Sequence, residues 1–113
     1  MRVPKAEVGV QMEIRAGLRL HSAVCTTEVV VVRAPAAAVK LECGGSAMLG
    51  EGDEVSGQPV IDPGKSSGSI LGKRYADDAI GIELLCTRAG DGTLIADGVV
   101  LDIKRTKPLP ASD

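Results

Sequence analysis

The sequence predicts an all-β fold, a small barrel or sandwich of two pseudo-symmetric β-units preceded by an N-terminal strand. Three observations carry this. Aliphatic and β-branched runs of strand length are separated by Gly, Pro and Asp turn chemistry. No stretch combines a helical period with caps. A long part of the chain also occurs twice. Gly17–Pro35 lies over Gly72–Gly90 without a gap, with Gly17/Gly72, Arg19/Arg74, Glu28/Glu83, Arg33/Arg88 and Ala34/Ala89 identical. A two-residue deletion then sets Leu41, Gly45 and Met48 over Leu94, Gly98 and Leu101. Repetition on this scale marks one supersecondary unit used twice, each copy unable to bury its apolar face alone.

Taken in order, Val8–Ile14 alternates apolar and other residues with period two, the pattern of a half-buried strand. Val29–Val32 is continuous and β-branched, which predicts a strand covered on both faces. Val39–Glu42, Gly81–Thr87, Thr93–Ala96 and Val99–Lys104 supply the remaining strands. Turns are expected at Ala34-Pro35, Gly44-Gly45 and Ala89–Gly92, with a tight hairpin at Asp97-Gly98.

The organisation that follows is one domain over residues 1–113, with a first β-unit at 16–50 and a second at 70–104. Between them, residues 51–69 are polar and rich in Gly, Ser and Pro, and read as a flexible connector. Residues 105–113 read as an extended tail, because Pro108 and Pro110 forbid further ladder pairing. Lys107, Pro108, Leu109 and Pro110 are its candidate contact residues for a partner, against the alternative of a solvated end.

Composition narrows the function. The net charge is −2, so no global field draws the chain to nucleic acid or an anionic membrane. Tyr75 is the only aromatic residue, which removes the stacking platforms of single-strand binders. A core of Val, Leu, Ile, Ala and Met is thin, and such cores are often completed by a partner or by self-association. There is no run of apolar residues long enough to span a bilayer and no secretory signal pattern, so the cytoplasm is the expected compartment. In a reducing compartment, Cys25, Cys43 and Cys86 are expected as thiols or metal ligands.

Two cysteine segments carry a family resemblance. Ser22-Ala-Val-Cys25 followed by Leu41-Glu-Cys43-Gly-Gly-Ser-Ala-Met48 resembles the desulforedoxin-like module, a small rubredoxin-type metal domain. That family's pattern is Tyr-x-Cys-x-x-Cys-Gly, a β-rich stretch, then Cys-Cys-Gly-x-x-Met, with four thiolates on one iron or zinc. The resemblance covers residues 17–48 and, more weakly, 72–101. Cys25 and Cys43 match the second and third ligands, while Ser22 and Gly44 stand at the first and fourth. Gly45 and Met48 match the motif's Gly and Met. In the second copy Tyr75 matches the Tyr, but the ligand positions read Asp77, Ile80, Ala96 and Asp97. The resemblance therefore implies a fold more than a metal, since two soft ligands do not close a thiolate tetrahedron.

If that fold holds, Cys25 and Cys43 face each other. Three readings of them stay open: buried thiols, a reversible disulfide, and a zinc or iron site completed by His21. Strand alternation sets His21 and Ser22 on opposite faces and weighs against the third. Cys86 lies over Val31 and reads as core. Asp77-Asp78 and Glu51–Glu54 read as solvated turns. Gly64-Lys65-Ser66 lacks the upstream glycine and the helix of a phosphate loop. The recurring Arg and Glu positions are expected to pair across strands. The leading functional expectation is a non-catalytic β subunit or scaffold that binds a larger protein, an enzyme above all, or self-assembles, without a cofactor. A metalloprotein and a thiol redox protein using Cys25 and Cys43 are the alternatives, and catalysis by this chain alone comes last.

Overall fold

The computed structural model describes residues 12–55 and 57–104. The fold is all-β, and the described residues form ten short strands: β1 (Arg19–His21), β2 (Glu28–Arg33), β3 (Leu41–Cys43), β4 (Ser46–Ala47), β5 (Leu49–Gly50), β6 (Arg74–Asp77), β7 (Ile82–Arg88), β8 (Leu94–Ala96), β9 (Val99–Val100) and β10 (Asp102–Ile103). The one helical turn among the described residues is a 3-10 turn at Pro63–Lys65, started by Asp62, whose carboxylate accepts the Gly64 N–H at 2.9 Å.

The strands form two antiparallel sheets. One has six strands in the order β10-β6-β7-β2-β1-β5, the other four in the order β4-β3-β8-β9. Neither sheet closes on itself, so the arrangement is sandwich-like and not a barrel. Leu20, Val29, Val31 and Leu84 from the first sheet meet Leu41, Leu94 and Ala96 from the second in one apolar cluster. Each of these valine and leucine side chains contributes about 1.5–3 kcal/mol by leaving water.

Each order reads as the other half's mirror. β10-β6-β7 is matched by β5-β1-β2, and β4-β3 by β9-β8. The backbone bonds agree with this at the aligned residues. Gly17 N–H donates to Val31 O and Gly72 N–H to Cys86 O, both at 2.8 Å. Met48 N–H donates to Leu41 O at 3.0 Å and Leu101 N–H to Leu94 O at 2.9 Å. Met48 and Leu101 are both buried corners where the chain leaves the four-stranded sheet for the six-stranded one. The run expected as a single strand over Val99–Lys104 is therefore two strands in two sheets, split because Leu101 turns into the core.

Two hairpins close the small sheet with two-residue loops. Gly44 and Gly45 have φ of 69° and 94°; Asp97 and Gly98 have 50° and 82°. Positive φ at both central positions is the turn whose twist matches that of the flanking strands. This is the tight hairpin expected at Asp97-Gly98.

Two expectations are corrected. Val29–Val32 is not covered on both faces: Val29 and Val31 are buried, whereas Val32 is 38% exposed. β2 is central in its sheet, but among the described residues only one face of that sheet has a second sheet against it. The connector is not loose throughout either. Asp62 N–H donates to Gly44 O at 2.9 Å, Thr93 N–H to Lys65 O at 2.9 Å, and Ser69 N–H to Gly90 O at 2.9 Å. Residues 61–69 are polar in composition yet fastened by their backbone, which a composition argument does not see.

The recurring charges pair in part. Arg74 lies 3.3 Å from Glu83 and Arg88 lies 3.5 Å from Glu28. Glu83 is buried and also accepts from Lys104 Nζ at 2.9 Å. Of the expected N-terminal strand, Met12 and Ile14 are described, and Met12 bridges to Val39; Val8–Gln11 lie outside the described residues. The tail residues Lys107, Pro108, Leu109 and Pro110 lie outside them as well.

Candidate functional site

The two cysteine segments converge at the end of the core. β3 ends at Cys43, which is fully buried, and the Gly44-Gly45 turn follows it directly. Cys25 sits in the loop between β1 and β2, half-buried. That loop is shaped by Ser22, whose hydroxyl oxygen accepts the N–H groups of Val24 and Cys25, each at 3.1 Å. Ser22 N–H in turn donates to Thr27 O at 2.9 Å. The residue at the first ligand position of the resemblance thus caps the turn that carries Cys25.

The Cys25 and Cys43 sulfurs stand 3.9 Å apart. Besides Cys43, hydroxyl and backbone groups surround the Cys25 sulfur. The Thr27 hydroxyl shares a hydrogen bond with it at 3.2 Å, and Gly92 N–H donates to it at 3.3 Å. Thr27 is fully buried and shares a second bond, 2.6 Å long, with the Ser69 hydroxyl.

The segment Gly90–Gly92 crosses the pair at close range. A Cβ at Gly92 would lie 2.6 Å from Cys43 Sγ and 2.9 Å from Gly44 N. A Cβ at Gly90 would lie 3.0 Å from Cys25 Sγ and would run into Thr27. Glycine is needed at both positions because the backbone itself forms the wall of the site.

These surroundings set the two thiols apart. Burial opposes ionisation of Cys25, but hydrogen bonds from the Ser22 and Thr27 hydroxyls and the Thr27 and Gly92 N–H groups outweigh it. Its pKa is lowered to about 7. For Cys43, burial and then the neighbouring Cys25 charge act in the same direction and raise the pKa to about 11. Cys86 is raised by burial and donates its S–H to Arg88 O at 3.2 Å. It is a core residue, as its alignment with Val31 indicates.

His21 lies in β1 opposite Glu28 and beside Leu49, on the open groove formed with Arg19, Glu51 and Thr87. Burial alternates along Leu20, His21 and Ser22, with His21 the more open of the three. Among the described residues no three His, Cys, Asp or Glu side chains converge on a point that could hold a metal ion. The described donors around Cys25 and Cys43 are therefore two sulfurs, which do not fit the closed tetrahedron of a structural zinc or rubredoxin-type iron.

Thr27, Ser69, Gly90 and Gly92 belong to the site, and sequence reasoning passed over them. Gly90 and Gly92, flanking Asp91, were a usable signal, since paired glycines mark close backbone approach. Ser69 carried none; it arrives from the connector only through the fold.

Among the described residues no helix is long and apolar enough to cross a membrane. No family model matches the chain, and no curated protein or solved structure does either.

Proposed function

We propose that the protein is a small β scaffold carrying a reversible dithiol–disulfide pair, with Cys25 the attacking sulfur and Cys43 the resolving one. One observation supports this above the others: two thiols with opposed environments stand 3.9 Å apart, one accessible and ionisable near neutrality, the other buried. This separation suits stepwise exchange. The Cys25 thiolate attacks a sulfur of an oxidised thiol substrate, and the substrate's other sulfur leaves as a thiolate. The Cys43 thiol gives its proton to that thiolate and attacks the Cys25 sulfur. The mixed disulfide breaks, and its substrate sulfur leaves and takes up a proton from solvent. The protein loses two hydrogens and the substrate disulfide becomes two thiols. Closing the bond requires the sulfurs to approach by roughly 2 Å, a motion available to a half-buried loop residue. On this reading the paired halves are one β-unit used twice, with the exchange chemistry kept in the first.

The test is oxidation with a small disulfide such as oxidised glutathione, followed by trapping of free thiols and peptide mass spectrometry. A Cys25–Cys43 linkage with Cys86 free is the expected product, returning to three thiols with dithiothreitol. Two cysteines that never link under oxidising glutathione overturn the reading. Elemental analysis of the same preparation, showing a stoichiometric zinc or iron, would favour the metalloprotein alternative.

A second reading, an accessory subunit that associates with a larger protein or with itself, is supported by exposed apolar residues on the second half. Ile70, Val100 and Ile103 are 52%, 54% and 36% exposed around a groove floored by Tyr75 and Leu94, and Leu71 beside Ile70 in the chain is 62% exposed. Copurification with the tagged full chain tests it. A Val100→Asp variant that still folds is expected to lose the partner, and one that keeps the same partner removes this face from the reading.

A further inference from the structure

We propose that Thr27 and Ser69 form a two-hydroxyl relay that positions the Cys25 sulfur for exchange and reverses direction as the sulfur gains or loses its proton. This rests on the reading of Cys25 as the reactive sulfur of the site. The Thr27 hydroxyl is fully buried and lies between Cys25 Sγ at 3.2 Å and Ser69 Oγ at 2.6 Å. A hydroxyl has one hydrogen, so these two bonds cannot both be donated by Thr27.

The hydrogen bookkeeping closes in both states. With Cys25 as thiolate, Thr27 donates to the sulfur and accepts from Ser69. With Cys25 as thiol, the S–H donates to Thr27, which donates to Ser69. The hydrogen of Ser69 then turns toward the Cys86 sulfur, whose ionisation that hydroxyl favours. Cys86 is itself satisfied in both states, because its S–H goes to Arg88 O. No described buried polar side-chain atom is left without a partner. A buried network that stays satisfied on both sides of a reaction opposes neither.

The relay is held in place from two directions. Ser69 exchanges backbone bonds with Gly90, at 2.9 and 3.4 Å, and Gly90 packs on Thr27 and Cys25 with no room for a side chain. The titratable groups facing Cys25 are the thiols of Cys43, from β3, and Cys86, from β7. Asp91, in the segment that crosses the pair, is exposed.

The test measures the rate of Cys25 alkylation by iodoacetamide between pH 5 and 10, resolved by peptide mass spectrometry, on the full chain. Thr27→Val removes the hydroxyl and is expected to move the midpoint up by about one unit, which slows alkylation at pH 7 about fivefold. Thr27→Ser restores the hydroxyl and is expected to return the rate to within about twofold. Ser69→Ala is expected to shift the profile in the same direction by a smaller step, because it withdraws the donor behind Thr27. Circular dichroism identifies folded variants, and Ser69→Ala decides the matter if Thr27→Val does not fold. A folded Thr27→Val or Ser69→Ala protein with the parental profile overturns the relay. The alkylation profile does not need the disulfide, so loss of the relay and loss of the Cys25–Cys43 exchange are read separately.

Discussion

Gly92 donates its backbone N–H to Cys25 Sγ at 3.3 Å, and the same residue lies so close to Cys43 that an added Cβ would stand 2.6 Å from its sulfur. One glycine thus touches both thiols, polarising the first and walling in the second. The atoms it would strike, Cys43 Sγ and the Gly44 backbone, are not free ends that can swing aside.

Gly92→Ala is therefore expected to destabilise the protein by about 1–3 kcal/mol, the usual cost of forcing a methyl into packed surroundings. It also displaces the N–H from Cys25, so disulfide formation is expected to slow at pH 7. Urea denaturation of the reduced protein and a timed thiol-trapping assay measure the two effects. A stability unchanged within 0.5 kcal/mol would mean that the segment is not seated on the pair.

The pH dependence of stability follows from the thiols, and its sign changes. The folded pKa of Cys25 is lowered from 9.0 to about 7, so between those values the folded state has released a proton that the unfolded state keeps. Stability is expected to rise with pH across that window and to lose this increment as pH falls through 7. Cys43 is raised from 9.0 to about 11, so above 9 the unfolded state ionises first and stability falls. Chemical denaturation at a series of pH values checks this; Cys25→Ser is expected to flatten the rise and to leave a smaller alkaline fall, since burial of Cys43 then acts without the Cys25 charge.

Glu83 contributes on the acid side. It is buried in β7, and the Lys104 ammonium at 2.9 Å, with Arg74 beyond it, holds its carboxyl below the usual carboxylate value of 4.5 despite the opposing effect of burial. A depressed carboxylate contributes stability above its unfolded pKa and loses it as pH falls through the folded one. The acid limb below pH 4.5 is expected to flatten in Glu83→Gln, at the cost of lower stability at pH 7. An unchanged acid limb in that variant would show that the pair carries no linkage.

Asp97 ties the second hairpin to the first half. Its φ is 50°, its carboxylate accepts the Lys40 N–H at 2.8 Å, and its own N–H donates to Lys40 O at 2.8 Å. Asp97→Ala is expected to cost about 1–2 kcal/mol, through left-handed strain and the lost bond. Asp97→Gly relieves the strain and loses only the side-chain bond, so it is expected to be milder. Equal losses in the two variants, measured by urea denaturation, would show that the bond alone matters.

Much of the fold was legible in the residues. The two-residue hairpins at Gly44-Gly45 and Asp97-Gly98 and the strands around Val29–Val32, Ile82–Cys86 and Leu94–Ala96 follow from turn chemistry and β-branched runs. The short strands β1 and β6 were visible only as aligned positions, because Arg19–His21 and Arg74–Asp77 are mixed in character. The approach of Cys25 and Cys43 was an implication of the family resemblance; their contrasting environments were not visible at all.

What the sequence determined by itself is local: which residues extend and where the chain reverses. These depend on backbone preference and short-range pattern. Tertiary structure alone decided which face of β2 is wet, that residues 61–69 are fastened, and that Thr27, Ser69, Gly90 and Gly92 meet around the Cys25 sulfur. Those outcomes depend on groups distant in the chain. The reactivity of a thiol is set by the donors and burial that surround it, and in this protein they arrive from four separate segments.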